Sequence, residues 1–153
     1  MIGKFEFEHP QGVTICKLNG KKGCGIGVAT LAPSDTSSVL MGETIALYKA
    51  EKNLIKKNIV KQKEKIKYLQ SLKTYLFPYK FYGRQIDWIK FRFDKFIEKE
   101  NQSLSEWEEA LNEVNNALTE YLAQREKNLQ KIKAYKERAV ARGVDNENTE
   151  IQN

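Results

Sequence analysis

Two short β-branched runs, Val13-Thr-Ile-Cys-Lys-Leu18 and Gly25-Ile-Gly-Val-Ala-Thr-Leu31, flank Asn19-Gly20. That dipeptide between apolar runs is a strong local signal for a β-hairpin. Phe5 and Phe7 alternate with charged neighbours, so Lys4 to Glu8 is expected to add a third strand, turned by His9-Pro10-Gln11-Gly12. A sheet this small must be covered. Gly23, Gly25 and Gly27 alternate along the second run, which leaves one face bare for close approach by a helix or a ligand, the helix being favoured.

After the loop Ala32-Pro33-Ser34-Asp35-Thr36-Ser37-Ser38, which ends in N-cap residues, Gly42 is the sole helix breaker before Pro78. One helix is predicted over 38–76, with Tyr48, Ile55, Ile59, Ile66, Leu69 and Leu76 as its apolar stripe. At 1.5 Å per residue it is roughly 55 Å long, more than the sheet can cover. It therefore requires a partner helix, expected from a second copy of the chain. Phe77-Pro-Tyr-Lys-Phe-Tyr-Gly83 interrupts the pattern, and Gln85 to Glu100 resumes it with Ile86, Ile89, Phe93 and Phe96 or Ile97 on one side. Ser103-Leu-Ser-Glu106 reads as a capping box. It opens a further helix with Leu104, Trp107, Leu111, Val114, Leu118, Tyr121, Leu129, Ile132 and Tyr135 at heptad-like spacing, closed by Gly143. The expected fold class is α+β: a small N-terminal antiparallel sheet followed by long, coiled-coil-like helices. One domain over 1–143 comprises sheet (1–32), long helix (38–76), aromatic loop and helix (77–100) and long helix (103–142). A frayed tail follows at 144–153.

The 153 residues are 41% apolar and 30% charged with a formal net charge of +6, a surplus that favours anionic partners without choosing among them. No apolar run reaches the roughly 20 residues a membrane span needs, and the first residues lack a secretory hydrophobic region, so the host cytoplasm is the expected location. In a reducing compartment Cys16 and Cys24 are expected to be small packing residues rather than a disulfide.

Catalysis needs a nucleophile with its base, paired carboxylates or metal ligands, and the one histidine, His9, lies in a predicted turn beside Pro10. Gly23-Cys-Gly-Ile-Gly27 lacks the Gly-Lys-Ser/Thr ending of a phosphate loop. No enzyme, metal or cofactor is expected. Anion recognition remains, and arginine suits bidentate phosphate contacts better than lysine. The candidate contacts are Arg84, Arg92, Arg125, Arg138 and Arg142, with Phe81 and Tyr82 beside Arg84 to clamp a base. Arg125 falls close to the apolar stripe, where it serves a ligand or an interface register. Lys49, Lys52, Lys56, Lys57, Lys61, Lys63, Lys65, Lys67 and Lys73 spread a diffuse field, which a solvated helix flank explains equally well.

At Gly25-Ile-Gly-Val-Ala29, Pro33-Ser-Asp35 and Met41-Gly-Glu-Thr-Ile-Ala-Leu-Tyr-Lys-Ala50 the sequence resembles small phage proteins, most of all the Thoeris anti-defence family of nucleotide sponges. The likeness spans residues 13–57. It implies a phage-encoded homo-oligomer that sequesters a cyclic nucleotide signal, of the cyclic ADP-ribose type or a cyclic oligonucleotide, without cleaving it. Lys49 departs from the arginine commoner there, and the aromatic stretch Phe77 to Glu100 looks inserted. That stretch supports the alternative, a protein-interaction inhibitor or nucleic-acid-binding phage protein that docks through its basic, aromatic face. General nucleic-acid binding and a membrane-surface role for Trp88 to Phe96 are disfavoured, the latter because its charges are not segregated onto one face.

Overall fold

The structure, a computed structural model, describes residues 3–30, 39–77 and 84–149, and for residues 84, 85 and 139–149 the backbone alone. Three antiparallel strands, β1 (Lys4–Glu8), β2 (Val13–Gly20) and β3 (Gly23–Thr30), form a sheet in that order. The hairpin turn lies two residues beyond its expected place: Asn19 pairs with Cys24, Gly20 with Gly23, and Lys21-Lys22 make the bend. Gly23 takes the positive φ of 135°, and among the described residues no other residue type has a positive φ. Lysine at both central positions is compatible with a turn of negative central φ that has glycine fourth, whereas a turn centred on Asn19-Gly20 would forgo two strand pairs. A shift of two preserves which side chains face which side. Thr14, Cys16 and Leu18 of β2 therefore share the buried face with Gly25, Gly27 and Ala29 of β3. Cys24 is exposed on the other face, so the two cysteines, both free, point apart.

Helix α1 (Val39–Leu76) lies directly on the glycine face. A Cβ placed on Gly27 would stand 1.9 Å from the Ala46 carbonyl oxygen, and one on Gly25 2.0 Å from that of Ala50. Backbone meets backbone here, and the core is correspondingly built of small residues: Cys16, Leu18, Ala29, Ala46 and Ala50, flanked by Phe7, Ile45, Leu47 and Leu54. The same helix closes the free edge of β3. Lys49 Nζ donates to the Val28 carbonyl at 2.8 Å, Asn53 Nδ2 to that of Ile26 at 2.8 Å, and Lys57 Nζ to that of Cys24 at 3.2 Å. Four helical residues rise about 6 Å and two strand residues about 6.6 Å, so one donor per turn meets three successive alternate carbonyls. An edge occupied in this way is a poor template for another strand.

The second helix, α2 (Arg84–Thr149), runs without interruption through Asn101, Gln102 and Ser103. Two helices were expected here. Ser103-Leu-Ser-Glu106 stands inside the helix, where no proline or glycine enforces a break, and Gly143 is likewise passed. Two compact units are distinguished, Met1–Asn115 and Asn116–Asn153, with the boundary inside α2. In the first, α2 runs antiparallel to α1, as the contacts Phe77 with Phe93, Lys73 with Asp94, Lys65 with Glu100 and Lys63 with Glu108 show. Ile55, Ile59, Ile66 and Leu69 are buried. The partner helix that this stripe requires is thus supplied by the chain itself. In the second unit Leu118, Tyr121, Arg125 and Leu129 are half-buried at three- and four-residue spacing, while Ile132 and Tyr135 are exposed.

Glu100 is the most enclosed carboxylate of the α1–α2 ion pairs, its side chain 12% exposed. It accepts from Lys65 Nζ at 2.7 Å and Gln62 Nε2 at 2.6 Å. The Lys65 hydrogen bond, helped by Gln62 and by the charges of Lys65 and Lys99, holds its pKa below the ordinary value against the opposing effect of burial. A carboxylate with a lowered folded pKa stabilises the fold above its unfolded pKa of about 4.3, and that contribution is lost as pH falls through the folded value. Wild type is therefore expected to exceed Glu100→Gln in urea midpoint at about pH 7, with the difference shrinking towards about pH 3. A constant difference across that range would remove Glu100 from the acid sensitivity.

Candidate functional site

The candidate arginines all lie on α2. Arg92 is exposed and stacks over Trp88, its guanidinium carbon 4.8 Å from the ring centroid. Arg125 is half-buried and Arg138 exposed, both in the second unit. Phe81 and Tyr82 lie outside the described residues, as do the side chains of Arg84 and Arg142.

Lysine, not arginine, marks a cavity of the first unit that the described residues enclose. A space of about 600 Å³ opens between the β2–β3 turn (Asn19 to Lys22), Lys4 at the start of β1, Leu54 and Asn58 of α1, and Trp107 of α2. Of the candidate arginines, Arg92 does not line it. The turn is seated on α1 because Gly20 and Gly23 bring the backbone down to Leu54, whose methyl carbons lie 3.6 Å from where a Cβ would stand at either glycine. Gly3 lies closer still to Asn19, since a Cβ there would meet the Asn19 carbonyl oxygen at 2.3 Å. Trp107 is half-buried, and Lys22 Nζ sits 4.6 Å from its ring centroid.

Asn58 is the unusual member. It occupies an inward position between Ile55 and Ile59, is 7% exposed, and its Nδ2 is buried with no hydrogen-bond partner among the described residues. Buried polar groups are nearly always satisfied, and an orphan donor costs about 1–3 kcal/mol. The cavity thus combines an aromatic face, an amide at its wall and three exposed lysines, Lys4, Lys21 and Lys22. An aromatic face stacks a planar base, an amide matches a base edge, and lysine ammoniums serve as mobile point charges for phosphate.

Two other depressions are chemically poorer. The groove of about 540 Å³ beside Lys73, Phe77 and Asp94 has its central charges paired with each other. That of about 350 Å³ among Leu69, Trp88, Ile89, Arg92, Phe93 and Phe96 is almost wholly apolar. His9 ties the β1–β2 turn to α1, with Nε2 3.1 Å from Glu43 and Nδ1 3.4 Å from Thr14 Oγ1. Among the described residues no cluster of three or more His, Cys, Asp or Glu is placed to hold a metal. No described helix is long and apolar enough to cross a membrane.

No protein-family model matches the chain, and searches of curated proteins and of solved structures give no match. This cavity is not legible in the sequence because Trp107 fits the heptad stripe and Lys21-Lys22 follow a turn signal. The available clue was Asn58, an amide where the stripe calls for an apolar side chain.

Proposed function

We propose that this chain binds a phosphate-bearing nucleotide in the cavity between the β2–β3 turn, α1 and α2, and holds it without chemical change. The observation that carries the reading is the convergence on one space of Trp107, three lysines and Asn58, whose amide nitrogen has no partner among the described residues. The described lining holds no carboxylate, histidine, thiol or hydroxyl to act as base or nucleophile, which favours sequestration over turnover. Joined to the resemblance of residues 13–57, the reading becomes a phage anti-defence protein whose ligand is a cyclic nucleotide of the cyclic ADP-ribose type or a cyclic oligonucleotide. A homo-oligomer belongs to the same proposal: Ile132 and Tyr135 remain exposed in register with the apolar stripe of α2, as a surface for a second copy would be.

Native mass spectrometry of the full chain with a panel of cyclic nucleotides tests these points together. The expected spectrum shows an oligomer carrying intact nucleotide, recovered unchanged after denaturation. Degraded ligand would refute sequestration, and absence of every nucleotide adduct would refute the binding reading. A second reading, docking of a protein partner, is favoured by the exposed Trp88, Ile89, Phe91 and Phe96 with Arg92 and Lys95 among them. It predicts no small-molecule adduct, and Trp88→Ala would then matter where Trp107→Ala would not.

A further inference from the structure

Lys22 lies over the ring that a base would need. Both residues line the same cavity, and the ammonium is 4.6 Å from the Trp107 centroid, inside the roughly 6 Å range of a cation–π contact. With Lys22 in this position, one face of the indole is already occupied.

We propose that Lys22 is an internal competitor for Trp107 that makes the cavity select nucleotides over nucleosides; the proposal rests on the nucleotide reading of this same cavity. A base that stacks on Trp107 must first displace the ammonium and forfeit its cation–π contact. Where the ligand carries a phosphate, the displaced ammonium exchanges the ring for a full negative charge, a stronger partner. Where it carries none, the ammonium returns to water and the contact is lost without replacement. The turn suits this motion, because Lys22 is exposed, sits at one of only two positions between paired strands, and is bracketed by Gly20 and Gly23. Lys21 and Lys4 line the cavity but have no such contact with the ring, so they contribute attraction for phosphate alone.

The two roles predict opposite signs for one substitution. Lys22→Met keeps the length of the stem and removes the charge, so it is expected to raise affinity for adenosine while lowering affinity for ADP and cyclic ADP-ribose. The adenosine gain is about two- to fivefold, the size of an exposed cation–π contact. Lys21→Met is expected to weaken ADP binding without improving adenosine binding. Isothermal titration of full-length wild type, Lys22→Met, Lys21→Met and Trp107→Leu with the three ligands decides the matter. A second readout needs no ligand: in a Trp88→Phe background, Lys22→Met should increase acrylamide quenching of Trp107, the remaining tryptophan.

If wild type binds ADP or cyclic ADP-ribose and Trp107→Leu weakens it, but Lys22→Met moves both ligand classes down together or leaves their ratio unchanged, the competitor role is overturned and the nucleotide reading stands. If wild type binds none of the three ligands and no cyclic oligonucleotide either, both fall.

Discussion

Gly27→Val is expected to leave the first unit without its folded core, seen as loss of the cooperative urea transition and of soluble protein. A Cβ at this position would lie 1.9 Å from the Ala46 carbonyl oxygen, 2.3 Å from the Ala50 nitrogen and 2.9 Å from the Lys49 carbonyl carbon. All three are backbone atoms of one helix, so no rotamer change relieves the clash and α1 must lift off the sheet. Overpacking that side chains can absorb costs about 1–3 kcal/mol, and a displaced helix costs more. The lift also separates Cys16 and Leu18 from Ala46 and Ala50, and pulls Lys49, Asn53 and Lys57 away from the β3 edge. Each of those hydrogen bonds is worth about 0.5–1.5 kcal/mol or less at an exposed edge. Against a typical total of about 5–15 kcal/mol, the sum is enough to unfold the unit. Gly12→Ala is the comparison: nothing stands within 4 Å of its Cβ and only its φ of +69° opposes substitution, so a modest loss of about 1 kcal/mol is expected. A Gly27→Val protein that melts within about 1 kcal/mol of wild type would contradict the backbone-to-backbone packing of α1 on β3.

The small sheet, the helix on its glycine face and the middle of the apolar stripe of α1, Ile55, Ile59, Ile66 and Leu69, were legible because each depends on periodicity, whereas Leu76 at its end is exposed and Tyr48 only half-buried. Glycine at every second strand position has one strong consequence, a bare face, and Ala46 and Ala50 one turn apart on α1 are what fills it. What was not legible depends on choices between nearly equal local signals. Asn19-Gly20 and Lys21-Lys22 with flanking glycines both make acceptable turns, and the additional strand pairs decide between them. Ser103-Leu-Ser-Glu106 has capping chemistry but no breaker before it, so the helix runs on and Ser105 contacts Glu109 one turn away instead. The lysines of α1 look like an undirected field in the sequence. In the fold, Lys49 and Lys57 close a strand edge, and Lys63, Lys65 and Lys73 pair with Glu108, Glu100 and Asp94 of α2. Pairing of that kind needs tertiary register, which no window of sequence contains.

Trp107→Leu is expected to weaken nucleotide binding by more than tenfold while leaving the thermal transition close to that of wild type. Base stacking on an aromatic side chain is worth about 1–3 kcal/mol per base, a factor of roughly five to 150. Leucine keeps apolar cover at a half-buried helix position but offers no π face. Trp107→Phe, which retains a smaller face, should fall between the two. Asn58→Leu completes the argument because its two effects have opposite sign. The Asn58 amide nitrogen is buried without a partner among the described residues, so replacing the side chain with an apolar one of similar reach relieves a desolvation penalty of about 1–3 kcal/mol. The variant should therefore gain in urea midpoint. A ligand that meets the amide in the complex loses a hydrogen-bonding partner, so affinity should fall by about tenfold or more. Residues kept only for packing do not show gain of stability together with loss of binding, whereas residues held in reserve for a ligand do. If Asn58→Leu destabilises the protein and Trp107→Leu leaves nucleotide affinity within about twofold of wild type, the cavity is not the binding site.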